Sequence, residues 1–170
     1  MKIKTRKLKI QTNNKQYPLT DSVLYKLSNK NRLASLLNTT LPLLKKLLCD
    51  SNYRYFEDNS SGKPREIEHP LGQLEVIHTR LASLLCRVEQ PDYVHSGIKN
   101  RSHVTNAKSH IGHFPVLATD IQSFFKKTTT LLVFKFFHQQ LKCSSDIAKL
   151  LSQLCTCKGY IPTGSRISMP

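Results

Sequence analysis

Asp120 is the residue with the clearest chemical potential in this chain. It follows the apolar run Pro115-Val116-Leu117-Ala118, bounded by a turn residue, which reads as a buried strand. A carboxylate at the tip of such a strand is costly unless a cation or a donor compensates it. Asp120 is the only acid between Asp92 and Asp146, so no neighbouring carboxylate shares the site. A bound metal ion is the partner this pattern predicts, with Ile121 next in the chain and the aromatic pair Phe124-Phe125 just beyond. A helix cap for the turn at Ser123 is the plainer alternative.

Other reactive residues carry less. The cysteines are Cys49, Cys86, Cys143, Cys155 and Cys157. Their odd number and irregular spacing do not make a disulfide framework, which suits a reducing cytoplasm. Cys155-x-Cys157 with Cys143 and His138 lacks the paired Cys-x-x-Cys knuckles of a zinc site, so packing inside helices is the better reading. His103, His110 and His113 have no acid or cysteine nearby to complete a metal cluster.

The elements that must position these residues are mostly helical. Thr20-Asp-Ser22 offers caps before Val23, Leu24 and Leu27, and the leucine pattern resumes at Leu33, Leu36 and Leu37. Leu41-Pro42 opens another short helix. Tyr53–Phe56 and Lys63–His69, joined by the turn Asn59-Ser-Ser-Gly62, predict a β-hairpin whose return strand carries Lys63 and Arg65. Pro70 starts a helix with Leu74, Ile77, Leu81, Leu84, Leu85 and Val88 at helical spacing, stopped at Gln90-Pro91. Ser102 caps a short helix. Residues 128–141 form a helix rich in Leu, Val and Phe, and Ser144-Ser145-Asp146 caps a further one that Gly159 ends. The Pro/Gly/Ser segment Tyr160–Pro170 is a loop.

Composition narrows the partners. The chain has 170 residues, with 26 Lys and Arg against 11 Asp and Glu, a net charge of +15. Such an excess points to a polyanion. Nucleic acid fits better than a membrane surface, because no apolar run approaches the roughly 18 residues a spanning helix needs. The basic start, Met1-Lys-Ile-Lys-Thr-Arg-Lys, is followed by no apolar signal core, so a cytoplasmic protein is expected. Residues 1–19 read as a basic arm.

Four short pieces, in order, resemble bacterial reverse transcriptases of the retron type. Gly62-Lys-Pro-Arg-Glu-Ile-Glu-His-Pro70 is similar to the family's fingers pattern Arg-x-Ile-x-x-Pro. Asn106-Ala-Lys-Ser-His110 matches the Asn-Ala-x-x-His element of retron enzymes. Asp120-Ile-Gln-Ser-Phe-Phe125 resembles the palm motif Asp-Ile-x-x-Phe-Phe, and Gly159-Tyr-Ile-Pro-Thr-Gly-Ser165 resembles the Gly-x-x-Pro-Gln-Gly loop. The resemblance implies an α+β fold: right-hand polymerase fingers over residues 20–112, predominantly helical with a β-hairpin, and the first part of a palm, with its strand, over 113–170.

It also implies roles. Nucleotidyl transfer uses two divalent ions held by carboxylates. Asp120 would be a shared, catalytic Mg²⁺ ligand, with the carbonyl of Ile121 beside it. Lys63 and Arg65 would lie on the triphosphate of an incoming deoxynucleoside triphosphate. Phe125 falls where related polymerases place an aromatic gate against the 2′-hydroxyl, with Phe124 turned into the core. Gly164 and Ser165 belong to a loop near the nascent base pair, and Asn106 and His110, sharing a helix face, would contact RNA. The implied partners are an RNA template and primer, often a structured noncoding RNA, and a DNA product. The family is frequently linked to antiphage defence.

Two departures matter. Thr163 stands where the family has Gln, which shortens the reach toward a nucleotide. No Asp-Asp pair of the family's Tyr-x-Asp-Asp hairpin occurs in the chain, and no thumb segment is evident. A truncated palm with exposed apolar surface is therefore expected, and the chain alone is not expected to polymerise. A non-catalytic RNA-binding remnant or regulator is the alternative reading.

Overall fold

A computed structural model describes residues 8–168 apart from Ser61, Lys63, Lys99, His113 and Phe114. The predicted nucleotide contact Lys63 thus lies outside the described residues. The chain is α+β: seven α-helices and a single two-stranded antiparallel hairpin among the described residues.

The first elements are α1 (Lys30–Leu36) and α2 (Leu41–Lys46). The Asn29 side chain accepts the Arg32 backbone N–H at 3.0 Å and so caps α1, whose Leu33 and Ala34 are buried. Removing that acceptor in Asn29→Ala leaves an orphan amide, and a loss of about 1 kcal/mol is expected in urea unfolding. An unchanged midpoint would show that the cap does not hold the helix. The helix expected after Thr20 is instead a 3₁₀ turn, Leu19–Asp21, followed by irregular chain. Lys26 adopts a positive φ there and donates its backbone N–H to Leu141 at 2.8 Å. That long-range bond replaces a helical one, while Leu24 and Leu27 still bury their side chains.

Strands β1 (Tyr53–Asp58) and β2 (Arg65–Pro70) pair in the expected hairpin, with Tyr55 opposite Glu68, Phe56 opposite Ile67 and Asp58 opposite Arg65. The Asp58 carboxylate accepts the Ser60 N–H at 3.0 Å and starts the turn. Helix α3 (Gly72–Leu85) follows directly and is the spine of the core, burying Leu74, Ile77, Leu81 and Leu84. Along it runs the described part of the basic arm. Gln11 donates its N–H to Ser83 Oγ at 3.0 Å, and Tyr17 exchanges backbone bonds with Arg87 and Glu89.

Ser102 caps α4 (His103–Lys108) through a reciprocal capping box with Thr105. The last helices are α5 (Phe124–Lys127), α6 (Thr130–Lys135), which continues as a π-type turn over Phe136–Gln140, and α7 (Ser145–Cys155). Helix α7 buries Ile147, Leu150, Leu151 and Leu154, and α6 packs along it. It ends at Cys155, earlier than Gly159. The chain then reverses through Lys158 and Gly159, both at positive φ, with Cys157 bridged to Tyr160.

The expected palm strand is absent among the described residues. Pro115–Asp120 has no regular structure, and Val116 and Leu117 are 71% and 88% exposed. An apolar run becomes a buried strand only when a neighbour supplies both ladder partners and a face to pack on. No described strand pairs with this one. Ile121, Phe124, Leu131 and Leu132 add to an exposed apolar surface on the same part of the chain.

Candidate functional site

Strand β2 is where several of the motif-bearing pieces of sequence meet in space. Side chains alternate along a strand, so Arg65, Ile67 and His69 share one face and Glu66 and Glu68 the other. Both acids reach out to other segments. Glu66 Oε2 accepts from Lys126 Nζ at 2.9 Å, which ties α5, and with it Phe125, to the hairpin. This pair is exposed, and the carboxylate holds the Lys126 ammonium above its usual pKa.

Glu68 is only 2% exposed and takes its partners from one loop. Its carboxylate accepts the Thr163 backbone N–H at 3.1 Å, the Thr163 hydroxyl at 2.7 Å and the Tyr160 hydroxyl at 3.0 Å. Burial pushes its pKa up, but the bonds from Thr163 and Tyr160 outweigh burial and hold it below the ordinary glutamate range. Burial and the same bond push the Tyr160 hydroxyl up to about 12. The Thr163 hydroxyl also lies 2.8 Å from the Glu66 carbonyl, so its single proton is shared between two acceptors of the hairpin.

The loop closes on β2 at Gly164. A Cβ there would stand 2.6 Å from Ile67 Cγ2 and 2.8 Å from the Glu68 carbonyl oxygen, so no side chain fits. The Gly164 carbonyl accepts from His69 Nδ1 at 3.2 Å. The next residue turns inward: Ser165 is buried and its hydroxyl lies 2.6 Å from Nδ1 of His78, in α3. Nε2 of His78 is 2.7 Å from the Leu154 carbonyl of α7. A carbonyl only accepts, so Nε2 carries the proton and Nδ1 receives the serine hydrogen. Arg166 meets Glu75 of α3 at 3.8 Å. On the far side, backbone bonds run from Thr130 to Gly159 and from Ile161 to Thr128, joining the loop to the α5–α6 junction.

Two of the four sequence pieces, the Arg65 strand and the Gly159–Ser165 loop, are therefore gathered, together with the Phe124-Phe125 end of a third. Arg65 is exposed at the start of β2, opposite Asp58. Phe125 is half-buried and packs edge-on against Phe124 at 5.5 Å between ring centroids. Phe124, expected in the core, is the more exposed of the pair.

The fourth piece stays apart. Asn106 and His110 are both exposed, but α4 ends at Lys108, so His110 lies in the turn beyond it and the two do not share a continuous helical face. His110 lines an open depression of about 350 Å³ with Ser109, Ile111, Pro115, Val116 and Leu117.

Asp120 and Ile121 sit on the exposed, irregular segment, and Asp120 forms no ion pair with another described residue. Among the described residues no group of three or more His, Cys, Asp or Glu side chains is placed to hold a metal ion. One exposed carboxylate falls short of the donor set a pair of magnesium ions requires. The described residues do not by themselves fit that centre.

Glu66, Glu68, His78 and Lys126 organise the site and were not singled out from the sequence. The period of two along Arg65-Glu-Ile-Glu-His69 was the available signal. It sets two of the chain's 11 acids on one face of a strand that opens on a single arginine.

An α+β chain with this hairpin and this loop is similar to reverse transcriptases, and to those of retrons in particular. No family model matches the chain. The retron Se72 reverse transcriptase of Salmonella heidelberg (strain 579083-10) is 25% identical over 116 residues, covering 66% of this chain and 31% of that protein. The retron Ec86 reverse transcriptase of Escherichia coli is 28% identical over 120 residues, covering 68% of this chain and 37% of that protein. The chain thus spans about a third of the length of these curated relatives and resembles them over about two thirds of its own. No helix among the described residues is long and apolar enough to cross a membrane.

Proposed function

We propose that this chain carries the nucleotide-side elements of a retron-type, RNA-directed DNA polymerase. The observation behind the reading is the meeting of the Arg65 strand, the Phe125 turn and the Thr163-Gly164 loop around Glu66 and Glu68. In this reading residues 20–112 are fingers and the chain from 113 is the front of a palm. Arg65, with Lys63, takes the triphosphate of a deoxynucleoside triphosphate. Phe125 lies under the sugar, and the Gly164 backbone borders the base pair. Asn106 and His110 contact RNA. Asp120, with the Ile121 carbonyl, would supply one ligand of a magnesium site that the described residues do not complete.

The partners in this proposal are an RNA template with its primer and the DNA made from it. The excess of positive charge supplies sequence-independent attraction to phosphate, which displaced counterions make salt-dependent. Filter binding of a primed RNA to the full chain should weaken at least about tenfold between roughly 50 and 200 mM salt. It should favour the RNA over an equally long DNA duplex. Equal affinity for both, or no dependence on salt, would count against the reading.

The exposure of Asp120 favours a second reading, a non-catalytic RNA-binding remnant or regulator. A magnesium titration separates the two. Magnesium binding, even weak, that Asp120→Asn abolishes supports the polymerase, and RNA binding indifferent to magnesium and to that substitution supports the regulator.

A further inference from the structure

A carboxylate buried without a cation must find donors, and where those donors come from shows what the residue holds. The nearby ammonium, Lys126, pairs with Glu66. The three donors to the Glu68 side chain all belong to Tyr160 and Thr163. The same loop is pressed onto β2 at Gly164, where there is no room for a Cβ, and is bonded to it through His69. Among the described residues, Glu68 thus faces the loop with each side-chain hydrogen bond it makes. Charge-assisted bonds of this kind are the strong ones, and their number rather than any ion pair makes the contact.

We propose that Glu68 is a positioning residue that clamps the Tyr160–Ser165 loop to the Arg65 strand, so that the two reach a nucleoside triphosphate as one body. In this arrangement the Thr163 hydroxyl is consumed by the clamp and is not offered to the ligand. The shorter side chain at position 163 is what allows this: its hydroxyl reaches Glu68 Oε2 and the Glu66 carbonyl together. The nucleotide in this statement rests on the function proposed above, whereas the clamp stands on the geometry alone.

Hydrogen–deuterium exchange on the full chain tests the clamp without any ligand. Glu68→Ala leaves the Thr163 amide and the Tyr160 hydroxyl without their acceptor and the Thr163 hydroxyl with the Glu66 carbonyl alone. Exchange across 159–168 should rise at least tenfold while α1 and α7 keep their protection. Glu68→Gln retains an accepting oxygen for Thr163 and should stay near wild type. Unchanged exchange in Glu68→Ala, or equal exchange in the two variants, would overturn the clamp. If Glu68→Ala also strips α1 and α7 of protection, Tyr160→Phe and Thr163→Val remove one donor each. Each should then loosen 159–168 alone, and no change in either overturns the proposal.

A second arm titrates thymidine triphosphate with Mg²⁺ into the same chains. Glu68→Ala should weaken binding at least fivefold, with Glu68→Gln within twofold of wild type. A loosened loop with unaltered affinity would overturn the positioning role. Failure of the wild-type chain to bind thymidine triphosphate at all would overturn the nucleotide reading, and the exchange result would still decide the clamp.

Discussion

Acidifying the protein from pH 6.5 to pH 4 should cost it stability that a His78→Leu variant does not lose. His78 is fully buried between the Ser165 hydroxyl and the Leu154 carbonyl, joining α3, α7 and the C-terminal loop. Burial lowers its pKa from the usual histidine value of 6.5 to about 4, with the Leu154 carbonyl pulling weakly the other way. In the unfolded chain the ring takes up a proton below about pH 6.5, whereas in the folded chain it does not until about pH 4. Between those values the unfolded state binds more protons, so stability falls as the pH drops, and it levels off below the folded pKa. A gap of this size corresponds to roughly 3 kcal/mol over the whole window.

Urea midpoints measured at intervals across that range read the effect. The wild type should lose most of this amount, and His78→Leu should start lower and fall less. Its lower start reflects a buried serine hydrogen and a buried carbonyl that lose their histidine partner, which costs about 1 to 3 kcal/mol each. Asp146 titrates in a separate, lower window. The Ser144 hydroxyl and Lys30 hold its carboxyl down to about 2, so its contribution is lost mainly below pH 4, and Glu68, held below the ordinary glutamate range, loses its own near the low end of the window in wild type and variant alike. Parallel profiles for wild type and variant would show that the imidazole is not the group responsible.

The second large effect is expected at Gly164. A methyl group there meets Ile67 Cγ2 at 2.6 Å and the Glu68 carbonyl oxygen at 2.8 Å. Neither yields readily, since a β-branched side chain is stiff at χ1 and the carbonyl belongs to the strand backbone. The loop must lift away, and in lifting it stretches the bonds from Thr163 to Glu68 and from His69 to Gly164. Overpacking alone costs about 1 to 3 kcal/mol, and the weakened bonds to a charged acceptor add to it. Gly164→Ala should therefore lower stability by roughly 3 kcal/mol in urea or thermal unfolding. It should also weaken triphosphate binding. A wild-type midpoint would mean that the loop does not rest on β2.

Much of the local structure could be read from the sequence. The turn after Asp58, the alternating strand from Arg65, the cap at Ser102 and the leucine spacing of α3 and α7 are short-range signals, and the corresponding elements are present. Pro115–Ala118 shows the limit of such signals. Its apolar side chains are ready for a sheet, but burial needs a second surface, and the run itself says nothing about whether one is there. Residues 20–27 show another limit. Good caps precede an apolar pattern, yet the Lys26 backbone is drawn to Leu141, more than a hundred residues away.

Lys63 and Arg65 suit phosphate by their chemistry. What was not legible is that the acids following Arg65 hold the site together. Glu66 and Glu68 matter through Lys126, Tyr160 and Thr163, which approach only once the chain has folded. Ser165 illustrates the converse. Its position in a nucleotide-like loop suggested a ligand contact, while its hydroxyl is turned to a core histidine that a helical pattern alone marks as packing.

The gathering of three motif-bearing segments into a triphosphate-binding face is the claim on which the functional account depends. Equilibrium titration of the full chain with a fluorescent thymidine triphosphate in Mg²⁺, alongside Arg65→Ala, tests it most directly. The account predicts saturable binding that the substitution weakens about tenfold, the loss of roughly 1.4 kcal/mol expected for a charge-assisted contact to phosphate. Affinity unaffected by removing Arg65, or no saturable binding by the wild-type chain, would contradict it.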